Sequence, residues 1–236
     1  MSQKWAIELS VQGDLRFLSH HDMMRAMERL VRRAKLPLKY SQGFNPRPAL
    51  SLAMPRPVGV ASRSDLLVLA LEQDLQAGPL LESFNRTSPS GLRATKAFRF
   101  EKAGPRPKSA RYELPLAPER LSAVRARLDE LAAQAAWPLE RSTAGKDRAG
   151  RDVPSTQTQI DLRQLIRDLR LEGACLRITL APRGDVWARP AEVLALLGLD
   201  ARVDLAQLVR AEVDYGWPEE SENETQPQAE RPVEPD

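Results

Sequence analysis

The chain has 236 residues, 42% of them apolar, 28% charged and 5% aromatic, a composition that fits a globular protein with an aliphatic core and room for one large or two compact domains. A single cysteine, Cys175, excludes an internal disulfide and any cluster held by cysteines of this chain alone, and no apolar run nears the roughly 20 residues that span a bilayer. The formal net charge of +3 conceals an asymmetry: residues 1–63 hold eleven Lys/Arg against four Asp/Glu, whereas residues 216–236 hold seven acids and one arginine.

Along the chain, Trp5, Ile7 and Leu9 alternate in KWAIELSVQ, Gly13-Asp14 signals a turn, and Leu15 and Phe17 resume the alternation, which predicts two short strands or one bent strand. Ser19 is a good N-cap with Asp22 three residues on, so a helix should run from about His20 to Lys35. Met23, Met27, Leu30, Val31 and Ala34 recur at helical spacing on one face, and Arg25, Arg29, Arg32 and Arg33 gather on the other. Pro37 ends the helix. LKYS starts a strand, ALSLAMP and DLLVLALEQ read as two more, PLLESFNRT as a weaker helix and GLRATKAFRF as a last strand.

KAGPRPKS, rich in Gly, Pro and Lys, marks a domain boundary, after which the same order repeats. ARYELPL is a strand, PERLSAVRARLDELAAQ a helix with Leu121, Val124, Leu128 and Leu131 on one face, and WPLERS a strand. STAGKDRAGRDVPST has no hydrophobic period and reads as a mobile, charged loop. TQIDLRQLIRDLRLEG and ACLRITLAP can pair across Glu172-Gly173, with a short helix over DLRQLIRDL as the alternative; Cys175 in the second run reads as a small buried hydrophobe. ARPAEVLALLGL, with proline near its start and glycine near its end, is a helix, and LAQLVRAEVDYG a final strand. Together these predict an α+β chain of two tandem ferredoxin-like (βαββαβ) units, residues 1–102 and 109–216, followed by a disordered acidic tail over 217–236.

Neither type of Gly-rich phosphate loop is present, nor HExxH or GxSxG, and the two histidines, His20 and His21, are adjacent at a helix start, where side chains diverge by about 100 degrees. What remains is a cationic surface, which points to a polyanionic partner, most often nucleic acid; the alternative is a basic face that is merely well solvated. The stretch YSQGFNPRPALSLAMPRPVGV sets four prolines and two glycines around its arginines. Pro46, Pro48, Pro55 and Pro57 fix φ, Gly43 and Gly59 permit positive φ or close approach, and a loop so constrained loses little entropy on meeting a ligand. Lys39, Ser41, Asn45, Arg47 and Arg56 are its candidate donors to phosphates or base edges, and Tyr40 and Phe44 its candidate stacking rings, unless those aromatics belong to the core.

The run FLSHHDMMRAMERLVRRAKLPLKYSQGFNPRPALSLAMPRPVGVASRSDLLVL resembles the signature of the radical-SAM-linked DUF2344 family: F-S-H-x-D, an Arg-rich helix, Y-S-x-G-F-N-P-H-P and then P-x-G. Two departures stand out, His21 where the family often has Leu and Arg47 where it often has His. Members resemble partners or C-terminal fusions of a radical SAM protein, often encoded near ribonuclease and ribosomal-protein genes. The resemblance implies a substrate-handling companion with no cofactor of its own, whose partner carries the iron–sulfur cluster and S-adenosylmethionine, and whose substrate is RNA or ribosome-associated. A radical SAM core needs three cysteines for its cluster, and this chain has one. A weaker likeness, to metal-independent CRISPR-repeat endoribonucleases, would make His20 or His21 a general base, with Arg47 or Lys39 steadying the developing charge. A protein-interaction scaffold, its basic helix docked on an acidic partner, is a third possibility. The N-terminus MSQKWAIELSVQ has no secretory pattern, so a cytoplasmic location is expected.

Overall fold

A computed structural model describes residues 3–101, 104–146 and 152–216. The chain is α+β and divides into two units, one running to Pro107 and taking in the strand that starts at Val209, the other spanning Lys108–Leu208. Residues 217–236, the expected disordered tail, lie outside the described residues. Among the described residues no helix is long and apolar enough to cross a membrane.

In the first unit, β1 (Gln3–Val11) pairs antiparallel on one side with β3 (Ala61–Leu71) and on the other with β4 (Leu92–Phe100). Because β1 has a neighbour on each side, the alternation that resumes after Gly13 finds no place beside it, and Gly13–Phe17 forms a 3-10 turn rather than a second strand. β2 (Leu50–Leu52) pairs antiparallel with the far end of β3, and β10 (Val209–Asp214) pairs parallel with its beginning, Val209 opposite Ala61 and Arg210 opposite Ser62. The expected LKYS strand is reduced to isolated bridges, Leu38 with Leu71 and Tyr40 with Pro48.

Two helices cover this sheet's core. α1 (His20–Arg33) starts at Ser19, whose Oγ accepts from the Asp22 N–H at 3.2 Å and donates to the Asp22 carboxylate at 2.7 Å. Its Met23, Met27, Leu30 and Val31 are buried with Trp5, Ile7, Leu9, Leu67, Leu69 and Leu71. The helix ends before Pro37 is reached: Lys35 takes a left-handed φ of 54°, and the Leu36 N–H reaches back to the Val31 carbonyl at 3.2 Å, a closure that usually recruits glycine. α2 (Ala77–Thr87) adds Leu80, Leu81 and Phe84 to the same core.

In the second unit, β5 (Ser109–Pro115) pairs with β9 (Cys175–Leu180), and β9 with β8 (Ile166–Glu172), all antiparallel; the β8–β9 hairpin turns at the expected Glu172-Gly173. α3 (Pro118–Ala132) buries Val124 and Leu131, α4 (Pro190–Leu196) buries Val193 and Leu194, and α5 (Ala201–Asp204) was not foreseen. Arg120 of α3 forks onto buried Asp204 of α5 with two 2.7 Å bonds, and that hydrogen-bonded carboxylate raises the guanidinium's affinity for its proton. The charged loop expected after WPLERS is in large part a two-stranded ribbon, β6 (Pro138–Lys146) against β7 (Asp152–Asp161); residues 147–151 lie outside the described residues. Ladder bonds supply the order that hydrophobic period does not. At its root Arg141 forks onto Glu192 at 2.9 and 2.7 Å, and Asp161 accepts from the Trp137 N–H at 2.8 Å. Cys175, at the first position of β9, is half-buried rather than in the core.

Candidate nucleic-acid interface

The helical period that buries the methionines of α1 turns the opposite face outward, and Arg25, Arg29, Arg32 and Arg33 are all exposed on it. From Arg25 to Arg33 they span nine residues, a rise of about 12 Å along the helix. Arg25 lies 3.7 Å from Asp22, and Arg33 donates to the Thr87 carbonyl at 3.2 Å. The side chains of Arg29 and Arg32 have no hydrogen bond or ion pair among the described residues.

The loop after α1 is a small built object. Its neck is closed by three bonds: the Ala49 N–H to the Lys39 carbonyl at 2.8 Å, the Ser41 N–H to the Arg47 carbonyl at 2.8 Å, and the Arg47 N–H to Ser41 Oγ at 3.0 Å. Ser41 therefore serves the loop's closure through its hydroxyl. Tyr40 is half-buried against the core that α1 covers, so it roots the loop instead of standing free as a stacking ring. Beyond the neck, Gly43 adopts a φ of 147°, and Phe44, Asn45 and Arg47 are exposed, Phe44 standing wholly in solvent at 106% relative exposure. Lys39 is exposed too, with its backbone N–H on the Ala70 carbonyl at 2.9 Å.

Arg56, expected among the outward donors, is interior. Its side chain is 4% exposed; it donates to Asp65 at 3.1 Å, to the Leu15 carbonyl at 3.2 Å and to the Val60 carbonyl. Arg210 of β10, 0% exposed, takes the other oxygen of the same carboxylate at 2.6 Å and also reaches the Met54 carbonyl at 3.1 Å. Burial lowers the proton affinity of Arg56; Asp65 opposes that effect and Arg210 adds to it. The cluster pins the segment 53–60 between the 3-10 turn and β10, and Gly59, at a φ of 93°, brings its N–H to the Arg16 carbonyl at 2.8 Å. An acid in the apolar run SRSDLLVLAL was the one signal that a buried cation must exist; its partners' identity was not readable.

His20 and His21 are exposed, their ring centroids 5.9 Å apart and the planes 55° from parallel. Among the described residues no three His, Cys, Asp or Glu side chains are grouped to hold a metal ion.

Residues 4–190 match the family described as an uncharacterized protein conserved in bacteria, DUF2344. The chain belongs to the DUF2344 family. The match takes in both the arginine face and the 39–49 loop, and runs through the second unit to the start of α4. An unknown protein from Galdieria sulphuraria, known from its crystal structure, is similar at 9% identity over 84% of this DUF2344 chain and 91% of its own, with a TM-score of 0.26. No curated protein matches.

Proposed function

We propose that this chain is a non-catalytic, RNA-binding companion of a radical SAM enzyme, holding RNA or a ribosome-associated substrate for a partner that carries the iron–sulfur cluster and S-adenosylmethionine. The observation that carries the reading is the row of four exposed arginines on α1, of which Arg29 and Arg32 have side chains with no partner among the described residues. Guanidinium groups suit phosphate oxygens, and a helix face is a rigid place to present them. Arg47 and Lys39 at the loop neck add two further cations in the same unit. The link to a radical SAM partner rests on the signature around SHHDMMR and YSQGFNPRP and on the division of labour that one cysteine imposes. As to architecture, the order β4-β1-β3-β2, with helices after β1 and β3, supports reading the first unit as ferredoxin-like, and β5-β9-β8 with α3 and α4 supports the same for the second.

The test is fluorescence anisotropy with labelled RNA across a salt series. Affinity should fall with salt, and changing Arg25, Arg29, Arg32 and Arg33 to Gln should flatten the log–log slope by about 0.7 for each single-strand phosphate that is no longer neutralised. An absence of polynucleotide binding at low salt, or binding indifferent to salt, refutes the RNA reading. A complex with the radical SAM protein that survives nuclease treatment supports the companion role, whereas failure to co-purify with it at any salt refutes that half.

A further inference from the structure

We infer that the loop tip selects unpaired nucleotides, with Phe44 as a stacking platform for one base; this rests on the RNA-binding reading above. Three observations single Phe44 out. First, it stands wholly in solvent, while Tyr40, the other ring that the sequence offered for stacking in this loop, is half-buried against the core. Second, the tip is not a slack segment. The reciprocal Ser41–Arg47 bonds, the Lys39–Ala49 bond and the Tyr40–Pro48 bridge close the neck, so Gln42–Pro46 projects from a fixed base. Third, the ring's neighbours are the right chemistry: Asn45 offers an amide for a base edge and Arg47 a fork for the adjoining phosphate, both exposed.

An aromatic ring can stack only on a base whose face is uncovered. Inside a duplex both faces of an internal base are covered by its neighbours, its Watson–Crick edge is taken up by pairing, and the deep, narrow A-form major groove keeps Asn45 from its Hoogsteen edge. The phosphates that the arginines meet are present in either form, so the arginines give affinity without this preference, and Phe44 adds the discrimination.

The experiment compares a labelled single-stranded RNA of about 20 nucleotides and mixed sequence, longer than the site sizes typical of single-strand binders, with the same strand annealed to its complement. It is run on the full chain and on Phe44→Ala, Phe44→Leu and Phe44→Trp. The wild type should favour the single strand. Phe44→Ala should weaken single-strand binding about 5- to 150-fold, the range that removal of a stacking ring carries. Duplex binding and the salt slope should stay unchanged. Phe44→Trp should restore the loss and Phe44→Leu, apolar but without a π face, should not. Since the side chain stands wholly in solvent, circular dichroism of these variants should match the wild type. Single-strand binding by Phe44→Ala within about twofold of wild type overturns the inference, as does an equal loss on single strand and duplex, or rescue by leucine. A Phe44→Ala chain that binds RNA normally but no longer captures the radical SAM protein overturns it in favour of a protein-docking tip. In all of these the arginine variants still lose RNA, so the broader reading survives; if the wild type binds neither RNA, both fall together.

Discussion

Replacing Asp65 with Asn tests whether the interior of the first unit is held by one carboxylate shared between two cations. The side chain of Asp65 is 3% exposed; Oδ2 receives Arg56 at 3.1 Å and Oδ1 receives Arg210 at 2.6 Å. The amide keeps the shape and removes the charge, leaving two guanidiniums in low dielectric with neutral partners such as the carbonyls of Leu15, Met54, Pro55 and Val60 and the Ser62 hydroxyl. Breaking one buried pair costs about 3–5 kcal/mol, and here two pairs lose the same anion, so the upper end is expected. Against a total stability of about 5–15 kcal/mol that is a large fraction. For a chain of this size it corresponds to a drop in Tm of roughly 8–20 °C. Urea unfolding followed by tryptophan fluorescence reads it, since buried Trp5 lies on β1 in the same core. A second variant separates charge from packing: Asp65→Asn combined with Arg56→Met and Arg210→Met should recover much of the loss, because no uncompensated cation remains. A shift below about 1 kcal/mol for Asp65→Asn alone, or a triple variant worse than the single one, refutes the shared-anion account.

Asp161 anchors the β6–β7 ribbon through the Trp137 N–H at 2.8 Å, the Arg163 N–H at 3.0 Å and the Gln164 amide at 3.1 Å, and those donors, the Trp137 N–H first, hold its carboxyl below the ordinary value of 3.8. Asp161→Ala should cost about 1–2 kcal/mol at neutral pH. Because the folded pKa is the lower one, the charged carboxylate's contribution is present above pH 3.8 and is lost as pH falls through the folded value. Thermal melts of wild type and Asp161→Asn should therefore converge below about pH 4, and a gap that stays constant down to about pH 2 would contradict the assignment. Removing residues 217–236, which carry seven acids and one arginine, should tighten polyanion binding by the basic face, most at low salt, as measured by anisotropy; an unchanged affinity would show that the tail does not compete.

How legible these features were depended on whether the deciding interaction was local. α1 was readable from Ser19 to Arg33 because its cap, its buried methionines and its outward arginines all follow from spacing within one helix. The β8–β9 hairpin was readable because its turn is local as well. The 3-10 turn at Gly13–Phe17 was not, since alternation promises a strand only where a neighbour has a free edge, and β1 is already flanked by β3 and β4. Nor were the partners that β10 finds on β3: Arg210 on Asp65, the Val213 N–H on Ser64 Oγ at 3.2 Å and the Tyr215 hydroxyl on the Ser64 carbonyl at 3.0 Å, all far away in sequence.

The sharpest case is a pair of identical tripeptides, Pro46-Arg47-Pro48 and Pro55-Arg56-Pro57. Local physics treats them alike: the same fixed φ on both sides, the same missing N–H groups, the same guanidinium. Yet Arg47 is exposed and Arg56 is interior. Arg47 sits at a loop neck closed by backbone and hydroxyl bonds that make no use of its charge. Arg56 lies within reach of an acid on β3, which burial forbids from standing alone, and a buried carboxylate will draw in whatever cation can reach it. A count of positive residues over positions 1–63 therefore overstates the surface a polyanion meets. The charges that can serve it are among those still exposed once the interior acid has taken its own, Arg25, Arg29, Arg32 and Arg33 on α1 and Lys39 and Arg47 at the loop neck included.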